Sequence, residues 1–187
     1  TGINWPSEEV GNIPTPNWKA KNFPDDPQWR IGNTYHTAIG QYGFQVTALQ
    51  MARVAGAIAT NGVLVTPTIL TASTTPIHQP ARDISSIISP NFFQIVREGM
   101  RLAVTEGTAQ RLNTATVAIA AKTGTAELGV TKADVNSWVI GFYPYEAPRY
   151  SCAVVMERVP RGDTVRAALV IRELIDWLAS NAPEYLL

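Results

Sequence analysis

The chain has 187 residues, 45% of them hydrophobic, and its 15 basic and 15 acidic side chains cancel to a formal net charge of zero. Such a composition supports a packed core and contains no basic run of the kind that binds nucleic acid or an anionic membrane. No apolar run reaches the ~18 residues of a membrane-spanning helix, and the single cysteine, Cys152 within SCAVVM, cannot form an intrachain disulfide and reads as a small buried hydrophobe.

The first 33 residues, TGINWPSEEVGNIPTPNWKAKNFPDDPQWRIGN, are rich in Pro, Gly, Asn and Trp and show no helical or strand period. A domain rarely opens on so long a loop-like stretch, so this is either an arm or the interior of a larger domain. Residues 46–60, VTALQMARVAGAIAT, predict a helix capped by Thr47, with Leu49, Ala52, Ala55 or Gly56 and Ala59 at helical spacing and Met51, Val54 and Ile58 widening the stripe. Its many small side chains predict close packing. Asn61-Gly62 ends it, Gly62 being suited to a left-handed cap. VLVTPTIL is a short extended stretch ended by Pro67, and residues 71–88 read as a loop with a brief strand. SPNFFQIVREGMRLAV predicts a second helix, with Ser89 as N-cap, Pro90 in the first position where a missing N–H costs nothing, and Phe92, Phe93, Val96 and Met100 inward.

After a glycine-containing turn, TEGTAQRL, three strands are predicted over 117–123, 136–143 and 150–157, and their short connections favour antiparallel pairing. Residues 165–179 predict an amphipathic helix that buries Ala168, Ile171, Leu174, Ile175 and Leu178. Helices, then strands, then a helix make the fold α+β, with helices packed on an antiparallel sheet.

Most candidate chemistry is better explained as structure. His36 and His78 lie far apart in predicted loops with no Cys or carboxylate at ligand spacing, so no metal site and no cofactor are expected. Glu8-Glu9 is too local to form an acid–base couple across a substrate. Ser89-Pro90-Asn91 fits the S-x-N pattern but is accounted for as a helix cap. Lys122-Thr123-Gly124-Thr125 differs, because a lysine ends a strand that otherwise reads as core. Gly124 leaves room for close approach to the backbone. The hydroxyls of Thr123 and Thr125, with the Lys122 ammonium, suit an anion, and strand-edge N–H groups can polarise a carbonyl as an oxyanion hole does.

K-T-G is one of the three motifs shared by β-lactamases and penicillin-binding proteins, and five stretches together resemble the latter. TAIGQYGFQVTALQMARVAGAIATNGVLVTP resembles their I-G-Q-G…T-P-L-Q…A-N-G-G…P segment, and TGINWPSEEVGNIPTPNWK the loop before it. GMRLAVTEGTAQRL resembles their M…V…G-T-A segment, IAAKTGTAE their K-T-G-T-A strand, and NSWVIGFYPYEAPRYSCAVVME the paired strands that follow. The match spans nearly the whole chain in the right order. It is most similar to the class B enzymes, D,D-transpeptidases of peptidoglycan synthesis, and within them to the elongation type, penicillin-binding protein 2.

The resemblance implies the penicillin-binding, β-lactamase-like transpeptidase fold, with residues 1–187 as its C-terminal portion. It implies serine acyl transfer on a peptidoglycan stem peptide, inhibition by β-lactam antibiotics, cell-elongation membrane proteins as partners, and a domain outside the cytoplasmic membrane whose anchor lies elsewhere. It assigns Lys122 to the electrostatic and proton network, Thr123, Gly124 and Thr125 to substrate binding, and the Thr125 backbone N–H to the oxyanion hole. A β-lactam sensor, a serine β-lactamase or a catalytically silent module shares the K-T-G strand and stays open as an alternative.

Three departures stand out. G-Q-G is Gly40-Gln41-Tyr42-Gly43; T-P-L-Q is Thr47-Ala48-Leu49-Gln50; and the nucleophile motif S-x-x-K is absent. In the family that motif and a catalytic S-x-N lie upstream of the position of Thr1, so the upstream part of the same domain is itself an expected partner.

Overall fold

Alternation of buried and part-exposed residues through 135–143 marks a strand covered on both faces, and it forms the centre of the principal sheet. The computed structural model describes residues 1–3, 5–70, 81–163 and 165–186. They fall into two units, one formed by Ser7–Thr47 and the other by Thr1–Pro6 with Ala48–Leu187.

The smaller unit corrects the expectation of a featureless N-terminal stretch, because it contains helices α1 (Pro16–Asn22) and α2 (Ile31–Ala38). Both are too short to show a period, and side-chain caps hold them instead. Thr15 Oγ1 accepts the Trp18 N–H at 3.1 Å, with Pro16 in the first turn. Asn33 Oδ1 accepts the Arg30 N–H at 2.8 Å. His36 therefore lies on a helix, not in a loop, whereas His78 lies outside the described residues. Lys19, only 2% exposed, is the centre of this unit. Its ammonium donates to the Gln28 carbonyl at 2.6 Å and to Asp26 Oδ2 and Asn33 Oδ1 at 3.2 Å.

Asp26 also accepts from Arg30 at 2.7 Å, and Arg30 first, then Lys19, holds its carboxyl down at about 2. A depressed carboxyl stabilises the fold above its ordinary value near 3.8, and that contribution disappears as pH falls through about 2. The indole N–H of Trp29, bonded to Thr34 Oγ1 at 2.9 Å, is a reporter in the same unit. Its proton resonance is expected to hold its folded position at pH 5 and to lose dispersion between pH 4 and pH 2. In Asp26→Asn that acid step should be gone, and the unit should already be weakened at neutral pH.

Tyr42, inserted or shifted within the G-Q-G pattern, has a left-handed backbone of the kind a glycine favours, φ 62°. Four rings surround it: Phe23, stacked at 5.8 Å between centroids, Trp18 at 5.8 Å, Trp29 at 6.2 Å and His36 at 6.4 Å. Their contacts offset the backbone cost of a non-glycine residue there.

In the larger unit, helix α3 (Ala48–Ala59) begins where T-P-L-Q has its proline. Ala48 takes that first-turn position, which tolerates proline without requiring it. The small residues Ala55, Ala57 and Ala59 are buried, and α3 packs on the sheet, whereas Val54 is exposed. The helix ends as predicted at Asn61 and Gly62, φ 56° and 114°, with the Gly62 N–H returning to the Ala57 carbonyl at 2.8 Å. Strands β1 (Val63–Leu64) and β2 (Arg82–Asp83) form a small antiparallel pair. Of the predicted loop over 71–88, residues 71–80 lie outside the described residues.

Helix α4 (Pro90–Thr105) starts at the predicted Ser89-Pro90, although the Ser89 hydroxyl makes no capping bond. Its inner face is Phe93, Met100 and Val104, so the expected burial of Phe92 and Val96 is wrong. The helix is rotated so that Arg97 reaches inward to the carbonyls of Ala59 and Tyr145, over the rings of Phe142 and Tyr145. A hydrophobicity pattern cannot show an arginine that replaces an apolar anchor by bonding backbone carbonyls and covering aromatic faces.

Strands β3 (Ala120–Leu128), β4 (Asp134–Tyr143) and β5 (Tyr150–Pro160) pair antiparallel in the order β3–β4–β5. Helix α5 (Ala167–Asn181) buries Ala167, Ala168, Ile171 and Ile175, with Leu178 partly buried against them; Leu174, expected inward, is exposed. Ser137 Oγ on β4 accepts the Ala167 N–H at 3.1 Å and so caps α5 from the sheet. One apolar cluster joins Val139, Ala121, Ile171 and Ile175 on one face of the sheet; a second joins Ala120 and Phe142 with Ala59 and Met100 on the other. Cys152 packs against the first cluster, and burial pushes its thiol up to about 11.

Candidate active site

Lys122, Thr123, Gly124 and Thr125 occupy the middle of β3, not its end, because the strand runs on to Leu128. The polar residues after position 122 belong to the same antiparallel ladder as the apolar ones before it, which a search for apolar runs cannot see. Among the described residues β3 has a sheet partner on one side only, β4.

Register divides the four residues between two faces. Lys122 lies opposite Ile140 and Gly124 opposite Trp138, on the side of Ala120 and Phe142. Thr123 lies opposite Val139 and Thr125 opposite Ser137, on the side of Ala121 and the α5 cluster. The ammonium and the two hydroxyls thus flank one strand from opposite sides.

Lys122 is exposed, which corrects its appearance in the sequence as a buried cation. Its ammonium donates to the Thr123 carbonyl, one residue along. An ammonium has three N–H donors, so two others face outward from this contact. Thr125 is also exposed, and Thr123 is half-buried. A methyl group built at Gly124 would lie 3.3 Å from Trp138 Cβ, so this glycine accommodates the cross-strand tryptophan.

Two groups beside these residues were given no role by the sequence. Thr108, in the turn after α4, places its Oγ1 2.7 Å from Thr123 Oγ1. Glu127, near the end of β3, bonds Lys132 at 2.7 Å and Arg161 at 2.9 Å. Lys132 first, with Arg161, holds the Glu127 carboxyl below its ordinary value. That pair of contacts ties β3 to the turn before β4 and to the end of β5. Thr108 carried a signal, its place in the G-T-A segment, whereas the Glu127 contacts span 5 and 34 residues of sequence and left none.

An open strand bearing two hydroxyls and a cation can bind a carboxylate and align an extended peptide alongside it by main-chain bonds. The α+β unit and this strand define a class. The transpeptidase-domain model of penicillin-binding proteins matches residues 1–176, and the chain belongs to that family.

Within it, the chain is similar to the peptidoglycan D,D-transpeptidase MrdA of Acinetobacter baumannii, 29% identical across 97% of this chain and 29% of that protein. It is 30% identical to penicillin-binding protein H of Bacillus subtilis, across 93% of this chain and 25% of that protein. Among solved structures it resembles penicillin-binding protein 2 in its complex with MreC from Helicobacter pylori, with a TM-score of 0.79 and 30% identity over 97% of this chain and 33% of that one. The chain therefore spans about a third or less of the length of these relatives.

Proposed function

We propose that this chain is the C-terminal portion of a peptidoglycan D,D-transpeptidase domain of the elongation type and forms the wall of its active site that binds substrate. The observation that carries the reading is Lys122-Thr123-Gly124-Thr125 on a strand with one open side, in a chain of this family. The nucleophilic serine and its base are assigned to a segment N-terminal to Thr1, since S-x-x-K occurs nowhere in the 187 residues.

In the reaction, the serine Oγ attacks the carbonyl carbon of the D-Ala-D-Ala amide and passes its proton to the motif lysine. The C–N bond breaks, and the departing D-alanine amine takes up a proton. An amine of a second stem peptide then attacks the acyl-enzyme, forming the cross-link and returning the serine. The hydroxyls of Thr123 and Thr125 hold the terminal carboxylate of the stem peptide. Lys122 adds positive potential and serves the proton network beside the nucleophile, and the Thr125 N–H is one of the two donors to the developing oxyanion. β-Lactams resemble the D-Ala-D-Ala terminus and acylate the same serine. The MreC complex of the Helicobacter pylori relative supports a partner in the elongation machinery. The domain works outside the cytoplasmic membrane; no helix among the described residues is long and apolar enough to cross it.

A fluorescent penicillin tests the assignment. Residues 1–187 alone should remain unlabelled, and the same protein with its N-terminal segment should form a covalent, denaturation-resistant adduct. Labelling of the short chain would place a nucleophile within it and refute the division of the site. Rapid turnover of the adduct would instead indicate a β-lactamase.

A further inference from the structure

The G-T-A segment, Gly107-Thr108-Ala109, is left without a role by the mechanism above, yet it is packed closely against the end of α4. A Cβ at Gly107 would come within 2.8 Å of Ala103 Cα and 3.1 Å of the Ala103 carbonyl, so only glycine fits against the last turns of α4. Ala109 is fully buried, and its N–H donates to that same Ala103 carbonyl at 2.8 Å. A 3-10 turn follows at Gln110–Leu112, with Leu112 fully buried. Thr108 is therefore flanked by a glycine held against the Ala103 backbone and by the buried Ala109, while Thr108 itself is exposed, with its hydroxyl 2.7 Å from that of Thr123. Arg101, on the same helix, donates to the Ile119 carbonyl at 2.9 Å, just before β3, and fixes the spacing between α4 and the strand.

We propose that Thr108 is a positioning residue for carboxylate recognition: its hydroxyl donates to Thr123 Oγ1 and thereby aims the Thr123 proton at the substrate anion. The proposal rests on the transpeptidase reading. Its physical basis is proton counting. Each threonine hydroxyl has one proton and two lone pairs. If Thr123 donated to Thr108, it would present only lone pairs to an arriving carboxylate. With Thr108 as donor, Thr123 keeps its proton for the anion, and the two hydroxyls polarise each other in series. The anchored turn supplies this orientation before substrate arrives, which removes the cost of ordering the Thr123 rotamer on binding.

The experiment uses the protein with its N-terminal segment and measures acylation rate constants for benzylpenicillin and for its methyl ester, which lacks the carboxylate. Thr108→Val, an isosteric change at an exposed position, should slow benzylpenicillin about tenfold, the worth of one hydrogen bond, and leave the ester rate unchanged. Thr108→Ala should behave alike, and Thr108→Ser should restore the parent rate. In a Thr123→Val background, Thr108→Val should add no further loss. Equal slowing of both compounds, an additive double variant or unchanged benzylpenicillin rates would overturn the role. Failure of the unsubstituted protein to react with benzylpenicillin at all would overturn the transpeptidase reading itself, and with it this role.

Discussion

Replacing Lys122 by alanine is expected to abolish penicillin labelling of the protein carrying its N-terminal segment, lowering the acylation rate by about 100-fold or more, the range seen when one preorganised charge or donor is removed from such a site. The fold should not suffer. Lys122 is exposed and, among the described residues, its ammonium bonds the neighbouring Thr123 carbonyl rather than a distant element, so the thermal unfolding transition should match that of the parent. Lys122→Arg tests charge against geometry. A planar guanidinium keeps the positive potential but cannot release a proton near neutrality, so it should restore little of the rate if Lys122 takes part in proton transfer. Normal labelling of Lys122→Ala would remove Lys122 from the mechanism.

Gly141→Val should lower both stability and activity. Gly141 on β4 lies opposite Ala121, and a Cβ there would sit 2.6 Å from the Ala120 carbonyl oxygen and 3.2 Å from Ala121 Cβ. The obstacle is the backbone of β3, which cannot swing aside as a side-chain tip can. The strand must move, and forcing extra atoms into a packed site costs ~1–3 kcal/mol. For a domain of this size that is a fall of about 2–4 °C in melting temperature per kcal/mol. Since β3 also carries Lys122 to Thr125, labelling should fall with it. Gly99→Ala is the control. Gly99 lies on α4 with open space around it, so the change should be neutral or slightly stabilising. A Gly141→Val protein that melts and labels like the parent would show that the β3–β4 spacing yields where the geometry says it cannot.

Much of the architecture was legible because it depends on local chemistry. Proline after serine starts α4, Asn61-Gly62 stops α3, and three β-rich runs with short connections pair antiparallel. Three of the misreadings share one cause, groups whose partners lie elsewhere in the chain. Lys19 is buried because Asp26, Gln28 and Asn33 surround it, and those contacts, with two capped helices, turn an apparent loop into a folded unit. Arg97 turns α4 away from the face its phenylalanines suggest. The strand through K-T-G-T runs five residues past its predicted end at Thr123, to Leu128, because β4 pairs with it throughout.

By itself the sequence determined the family and the four residues of the candidate wall, since both depend on residue types in a fixed order along the chain. It also determined that no S-x-x-K nucleophile motif lies within these 187 residues. Only the tertiary structure decided that Lys122 is exposed, that it lies across β3 from Thr123 and Thr125, and that Thr108 meets Thr123. The reason is geometric. Which face a strand residue takes follows from register against its neighbour, and which hydroxyl meets it follows from how a helix end is anchored 15 residues away.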